Sequence, residues 1–173
     1  KYAGSIEKRC EFAAEIIRLI RLELGSDYPI ILRWSQWKMQ NYEAKLAHNP
    51  KELEAFLTPL VTAGIDIFHC SQRRFWEPEF EKSHLNLAGW VKKISSKPTI
   101  TVGSIGLDAD FISNPDQRGF SEAEPASLNE LLTRLDNDEF DLIAVGRALI
   151  SNPNWVKHIQ NNEDQKIKSF KKE

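Results

Sequence analysis

Two short β-branched runs of the chain stop at a glycine. "TITV" is followed by Gly103 and Ser104, and "LIAV" by Gly146 and Arg147. Without a Cβ, a glycine at a strand end lets a ligand come close to the main chain. Consecutive N–H groups in such a turn, helped by the start of a following helix, form a cradle for an anion. Arg147 adds a permanently charged planar fork suited to phosphate. Strand-terminal glycines also serve plain turns, so one such site has two readings. Two of them, one with arginine attached, point to a bound phosphate.

Further candidates share that end of the strands. Arg33 interrupts the apolar run "PIILRWS", where a buried guanidinium needs an anion or a dense set of acceptors. Its partner is either a structural acid inside the sheet or a bound ligand. Arg73 and Arg74 follow "FHCS", and Trp34, Trp37, Phe75 and Trp76 crowd the same region. These aromatics either wall a flat pocket or pack the loops. His69 next to Cys70 has no second close metal ligand, so no metal site is assigned. The two cysteines, Cys10 and Cys70, have neither metal nor disulfide spacing and read as small core residues in a reducing compartment.

These residues need elements to hold them. Ile6, Cys10, Ala13, Ile17, Ile20 and Leu24 recur at helical spacing, with Ser5 as cap and Gly25 as stop. Asn49, Pro50 and Glu52 mark a second helix start, with Leu53, Phe56, Leu57, Leu60 and Val61 as its buried face. Further helices are expected over Leu87–Ile94, over Leu128–Leu135 with Ser127 as cap, and over Trp155–Phe170. Strands are expected at Pro29–Ser35, Ile65–Ser71, Pro98–Ser104 and Phe140–Arg147. The order is one helix, then strand–helix four times, which predicts a parallel sheet with right-handed crossovers. Long loops, Gln36–Asn49 and Gly106–Pro125, follow strands on the side where α/β proteins bind ligands. Periodicity alone leaves open a small open sheet or half of an eight-stranded barrel.

With 173 residues, 41% hydrophobic and 28% charged, the chain suits one globular domain. A net charge of −2 gives no reason to expect nucleic acid or an anionic membrane. No apolar run approaches the ~20 residues of a membrane span, and no secretory signal is visible. A cytoplasmic location is expected. The lysine-rich end, "QKIKSFKKE", reads as a solvated tail. The chain opens at Lys1, without methionine, at the edge of a helix, and so reads as part of something longer.

Several of these stretches resemble one family. "KYAGSIEKR" is similar to the "YGGS-x-ENR" signature of the Old Yellow Enzyme, or NADH:flavin oxidoreductase, family. Ala3 and Lys8 depart from it. "IILRWS", "AGIDIFHCSQRRFWEP", "TVGSIG" and "DLIAVGRALISNPNW" resemble that family's fifth to eighth barrel strands, the sixth as in 12-oxophytodienoate reductase-like bacterial members. The resemblance runs from Tyr2 to about Lys157, and the loop "LDADFISNPDQRGFSEAEP" is longer than in many members.

The resemblance implies an α/β fold, a (βα)8 TIM barrel of which residues 1–173 are the C-terminal half. Residues 1–25 would be the helix before strand five, 26–157 the four βα units and 158–173 a terminal helix or tail. It implies FMN as cofactor. Arg33 would lie at the flavin's pyrimidine edge, and Gly103, Ser104, Gly146 and Arg147 at its phosphate. The implied activity is an ene-reductase: NADH or NADPH reduces the flavin, which then reduces the C=C bond of an α,β-unsaturated carbonyl compound. The family's proton donor and carbonyl-holding residues belong to strands not represented here, so no catalytic residue is assigned. The chain alone is expected to be inactive, to bind FMN weakly, and to form homo-oligomers or associate through open sheet edges. Alternatives are a non-catalytic half-barrel module binding a phosphate ligand, and another FMN barrel resembling dihydroorotate dehydrogenase. An open flavodoxin-like sheet fits less well, because the glycines follow the last two strands.

Overall fold

A computed structural model of the chain describes residues 2–39, 41–111 and 121–171. The middle of the long loop after the third strand, residues 112–120, and the final Lys172 and Glu173 lie outside the described residues, as does Lys1.

Four parallel strands, β1 (Ile31–Trp34), β2 (Ile67–Ser71), β3 (Thr99–Val102) and β4 (Leu142–Ile143), form one sheet in chain order. Between them run α2 (Pro50–Thr62), α3 (Leu87–Ser95) and α4 (Asn129–Asp136), with α1 (Ile6–Leu24) leading in. This is an α/β half-barrel, with both edge strands left without a neighbour among the described residues.

Alternation along the strands separates two faces. Phe68, Cys70, Thr99 and Thr101 point outward and are fully buried under the helices. Trp34 leaves β1 on the same side and packs on Phe56 of α2, with ring centroids 4.6 Å apart. The inward face carries Arg33, His69, Ile100 and Leu142 in register across all four strands. Ile31 and Ile67 pair below that row, and Ser71 and Val102 above it. The inward face is therefore aliphatic at its floor and polar near the carboxyl rim.

Helix starts follow local chemistry. The Asn49 side chain accepts from the Glu52 amide at 2.9 Å, and Glu52 reaches back to the His48 amide at 2.8 Å. Asn86, which the sequence reading passed over, caps α3 and is fully buried. Its side chain takes the Gly89 amide at 2.9 Å and gives to the Phe75 carbonyl at 2.8 Å.

Several expectations are corrected. On α1 the buried residues are Ile6, Cys10, Ala14 and Ile17, with Ala13 half-buried, while Ile20 and Leu24 are exposed, because α1 packs chiefly on α2 along its inner side. The run "FDLIAVGR" yields only a two-residue strand. Phe140 turns into the core, the Asp141 carboxylate takes the Thr99 amide at 2.8 Å, and β4 has a neighbour on one side only. Ser127 accepts the Asn129 amide at 3.2 Å, but α4 starts only at Asn129.

The final helix is also shorter than expected. Arg147–Ser151 forms a short α5, and α6 ends at Gln160. A left-handed Asn162 (φ 55°) and a 3-10 turn at Asp164–Lys166 follow. Phe170 then exchanges two main-chain hydrogen bonds with Ala123, at 3.0 and 2.8 Å.

Candidate functional site

At the carboxyl rim, one cleft of about 370 Å³ is lined by Arg33, Gly103, Ser104, Gly146 and Arg147 together. Arg73 completes a set of three arginines, and among the described residues no acidic residue lines the cleft. Register explains the gathering. Parallel pairing sets the ends of β1 to β4 along one rim, so each residue following a strand end is delivered to the same side.

The two glycines differ. Gly103 has φ +150°, and a Cβ there would stand 2.9 Å from the Gln72 carbonyl oxygen. Its bareness admits the chain's own loop after β2, while the residue also lines the cleft. A Cβ at Gly146 would meet nothing within 4 Å, so this glycine does face open space. Ser104, left-handed at φ 51°, fixes the turn: its hydroxyl lies 2.8 Å from the Arg73 carbonyl and 3.1 Å from that of Ala109. Among the described residues, no oxygen accepts from the amides of Ser104, Gly146 or Arg147.

The arginines are held in three ways. Arg147 gives hydrogen bonds to the carbonyls of Ala109 (2.5 Å), Asp110 (3.2 Å) and Ser121 (3.3 Å), and to Ser104 Oγ (3.4 Å). Burial lowers its pKa from the ordinary value, against the pull of Asp110 and Asp108. Its guanidinium carbon lies 5.5 Å from the centre of the Phe170 ring.

Arg33 is exposed, and no acid pairs with it among the described residues, contrary to the reading of a structural acid inside the sheet. Nη1 lies 2.6 Å from His69 Nε2, and Nη2 gives to Ser71 Oγ at 3.2 Å. Because arginine stays protonated, His69 Nε2 accepts, and the imidazole proton sits on Nδ1. Burial and then the Arg33 charge hold the His69 pKa below its ordinary value. Arg33 thus keeps its whole charge while its position is fixed by neutral groups.

Arg74 is neutralised by Glu77 at 2.6 Å and Asp110 at 3.0 Å, and Tyr42 OH gives to Glu77 at 2.7 Å. A second cavity of about 200 Å³ lies between the loops after β1 and β2 and shares Trp37, Ser71, Gln72 and Arg73 with the cleft. Of the four aromatics singled out in the sequence, only Trp37 lines the cleft. Phe75 is buried against Trp76, centroids 5.2 Å apart, and Phe111 and Phe170 take the expected places. Sequence reasoning missed those two, because their loops are brought to the rim only by the fold. Cys10 and Cys70 are buried, the first pushed up to about 11 and the second raised by burial, so neither thiol is activated.

Residues 1–118 match the model of the NADH:flavin oxidoreductase / NADH oxidase family. The chain belongs to this family. It is 30% identical to an NADH oxidase of Thermoanaerobacter brockii, over 97% of this chain and 23% of that protein. It is 26% identical to a cinnamate reductase of Clostridium sporogenes, over 97% of this chain and 25% of that one. Its fold superposes on the old yellow enzyme homologue from Zymomonas mobilis with a TM-score of 0.62 at 15% identity, covering 93% of this chain and 39% of that one. The chain thus spans less than half the length of these relatives. Among the described residues no helix is long and apolar enough to cross a membrane.

Proposed function

We propose that this chain supplies the phosphate-holding half of an FMN-dependent NAD(P)H oxidoreductase that reduces activated C=C bonds of α,β-unsaturated carbonyl compounds. One observation carries the reading: among the described residues the rim cleft is lined by three arginines and no acid, and the main-chain amides of Ser104, Gly146 and Arg147 have no acceptor. That donor set fits a phosphate monoester, and Gly146 leaves the room a Cβ would take. When bound, FMN supplies the hydride-transfer chemistry.

The chain's own residues bind and tune. Ser104, Gly146 and Arg147 donate to phosphate oxygens. Arg147, already fixed by chain carbonyls, holds a positive charge there without needing to be ordered on binding. Arg33 places an uncompensated cation where negative charge at the flavin's pyrimidine edge is stabilised. His69 and Ser71 hold that guanidinium without neutralising it. No residue here is assigned the substrate's proton or its carbonyl oxygen, so the chain by itself is expected to be inactive. Its open edges, with Ile31 51% and Leu142 52% exposed, are proposed to associate with further copies.

The test is a comparison of FMN with riboflavin by flavin fluorescence. FMN should bind at least about tenfold more tightly, and Arg147→Ala should erase the difference. Equal affinity for the two flavins would overturn the phosphate assignment.

A further inference from the structure

Arg73 stands where the two cavities meet and has no part in the phosphate or pyrimidine contacts above. Its guanidinium carbon lies 4.0 Å from the ring centre of Tyr42, 5.1 Å from that of Trp37 and 5.8 Å from that of Phe111. The guanidinium makes neither a hydrogen bond nor an ion pair among the described residues. Nε is shut away from solvent without an acceptor, as is Trp37 Nε1 beside it. The Nη groups remain accessible. The other cations of these cavities are engaged: Arg74 by Glu77 and Asp110, Lys45 by Glu79, Arg147 by carbonyls and Arg33 by His69 and Ser71.

We propose that Arg73 recognises a carboxylate carried by the small-molecule substrate. The guanidinium stands over the Tyr42 ring with Nε shut away, so a ligand meets its Nη groups. Those groups match the planar, bidentate geometry of a carboxylate. With Arg33 and Arg147 given to the cofactor in the proposed function, the Arg73 cation is left for one further negative charge. Glu43, Glu77 and Glu79 line the second cavity, whereas no acid among the described residues lines the cleft, so the carboxylate sits on the cleft side of Arg73. The rings hold the cation in place before binding, which reduces the ordering cost a free arginine side chain would incur. The inference deepens the proposed function by giving its substrate an anionic group.

The experiment titrates the purified chain with cinnamate, with its neutral amide and with inorganic phosphate, reading tryptophan fluorescence, with and without saturating FMN. Cinnamate should bind at least about tenfold more tightly than the amide. Arg73→Gln should bring the ratio near one, and Arg73→Lys should keep only part of it. Far-ultraviolet circular dichroism confirms that each variant is folded. Phosphate should not displace cinnamate. A wild type without preference, a preference that survives Arg73→Gln, or displacement by phosphate would each overturn the assignment. Arg147→Ala should abolish phosphate-dependent FMN binding yet keep the carboxylate preference. A wild type that prefers cinnamate but shows no preference for FMN over riboflavin sinks the cofactor reading and leaves this one standing.

Discussion

Gly103 and Gly146 look equivalent in the sequence, and each follows a short β-branched run. The fold makes them different, and substitution should show it. Gly103→Ala drives a Cβ against the Gln72 carbonyl at 2.9 Å in a left-handed backbone, so a loss of about 1–3 kcal/mol in urea unfolding is expected. Gly146→Ala meets no neighbour within 4 Å and should cost no more than about 1 kcal/mol, while weakening FMN binding by about tenfold. A second residue-scale prediction concerns acid. The His69 pKa is lowered in the folded chain, so the unfolded chain binds the extra proton first. The contribution of neutral His69 is fully present above the unfolded value of about 6.5 and is lost as pH falls below it. His69→Gln keeps an acceptor for Arg33 and has no proton to gain. Its unfolding midpoint should fall less than wild type's between about pH 7.5 and pH 5; parallel curves would refute the coupling. Arg33 and Arg147 were legible as cations at the rim. That Arg33 faces a neutral histidine was not, because register, which no local pattern states, puts His69 opposite it.

Among the elements, α2 was read from its cap outward, whereas α3 was placed without one. The difference marks what sequence can carry. Asn49–Pro50–Glu52 is a local signal, while the value of Asn86 depends on the Phe75 carbonyl eleven residues away. Asn49→Ala should cost about 1 kcal/mol, the ordinary loss of an exposed cap. Asn86→Ala removes three buried hydrogen bonds, the third to Thr101 Oγ1 at 3.3 Å, and leaves the Gly89 amide and Phe75 carbonyl unmatched, so a loss of about 2–4 kcal/mol is expected from thermal or urea unfolding. It should also loosen the loop after β2 and weaken cinnamate binding; equal costs for the two variants would refute that distinction. The last strand and helix were overestimated for one reason. Apolar runs there are interrupted by tertiary demands: Asp141 ties to β3, and Phe170 is called back to Ala123.

At the scale of the molecule, half a barrel exposes what a closed one hides. Phe12, Leu19 and Leu22 on α1, at 56%, 65% and 82% exposure, join Ile31 and Leu142 at the two sheet edges. Light scattering of the purified chain should therefore show concentration-dependent association, with apolar dye bound by the monomer, and Leu142→Lys should reduce association while leaving the cinnamate preference intact. A monodisperse monomer that binds no dye would contradict the edge proposal. The sheet's βα order was legible because each unit carries its own periodicity; the closing of the rim cleft was not, because it depends on the tail. Phe170, bound back to Ala123, lies 5.5 Å from the Arg147 guanidinium. During synthesis, all four strands and both glycines leave the ribosome before that ring does. The binding rim is then a late product of translation, finished only after the scaffold that carries it has emerged.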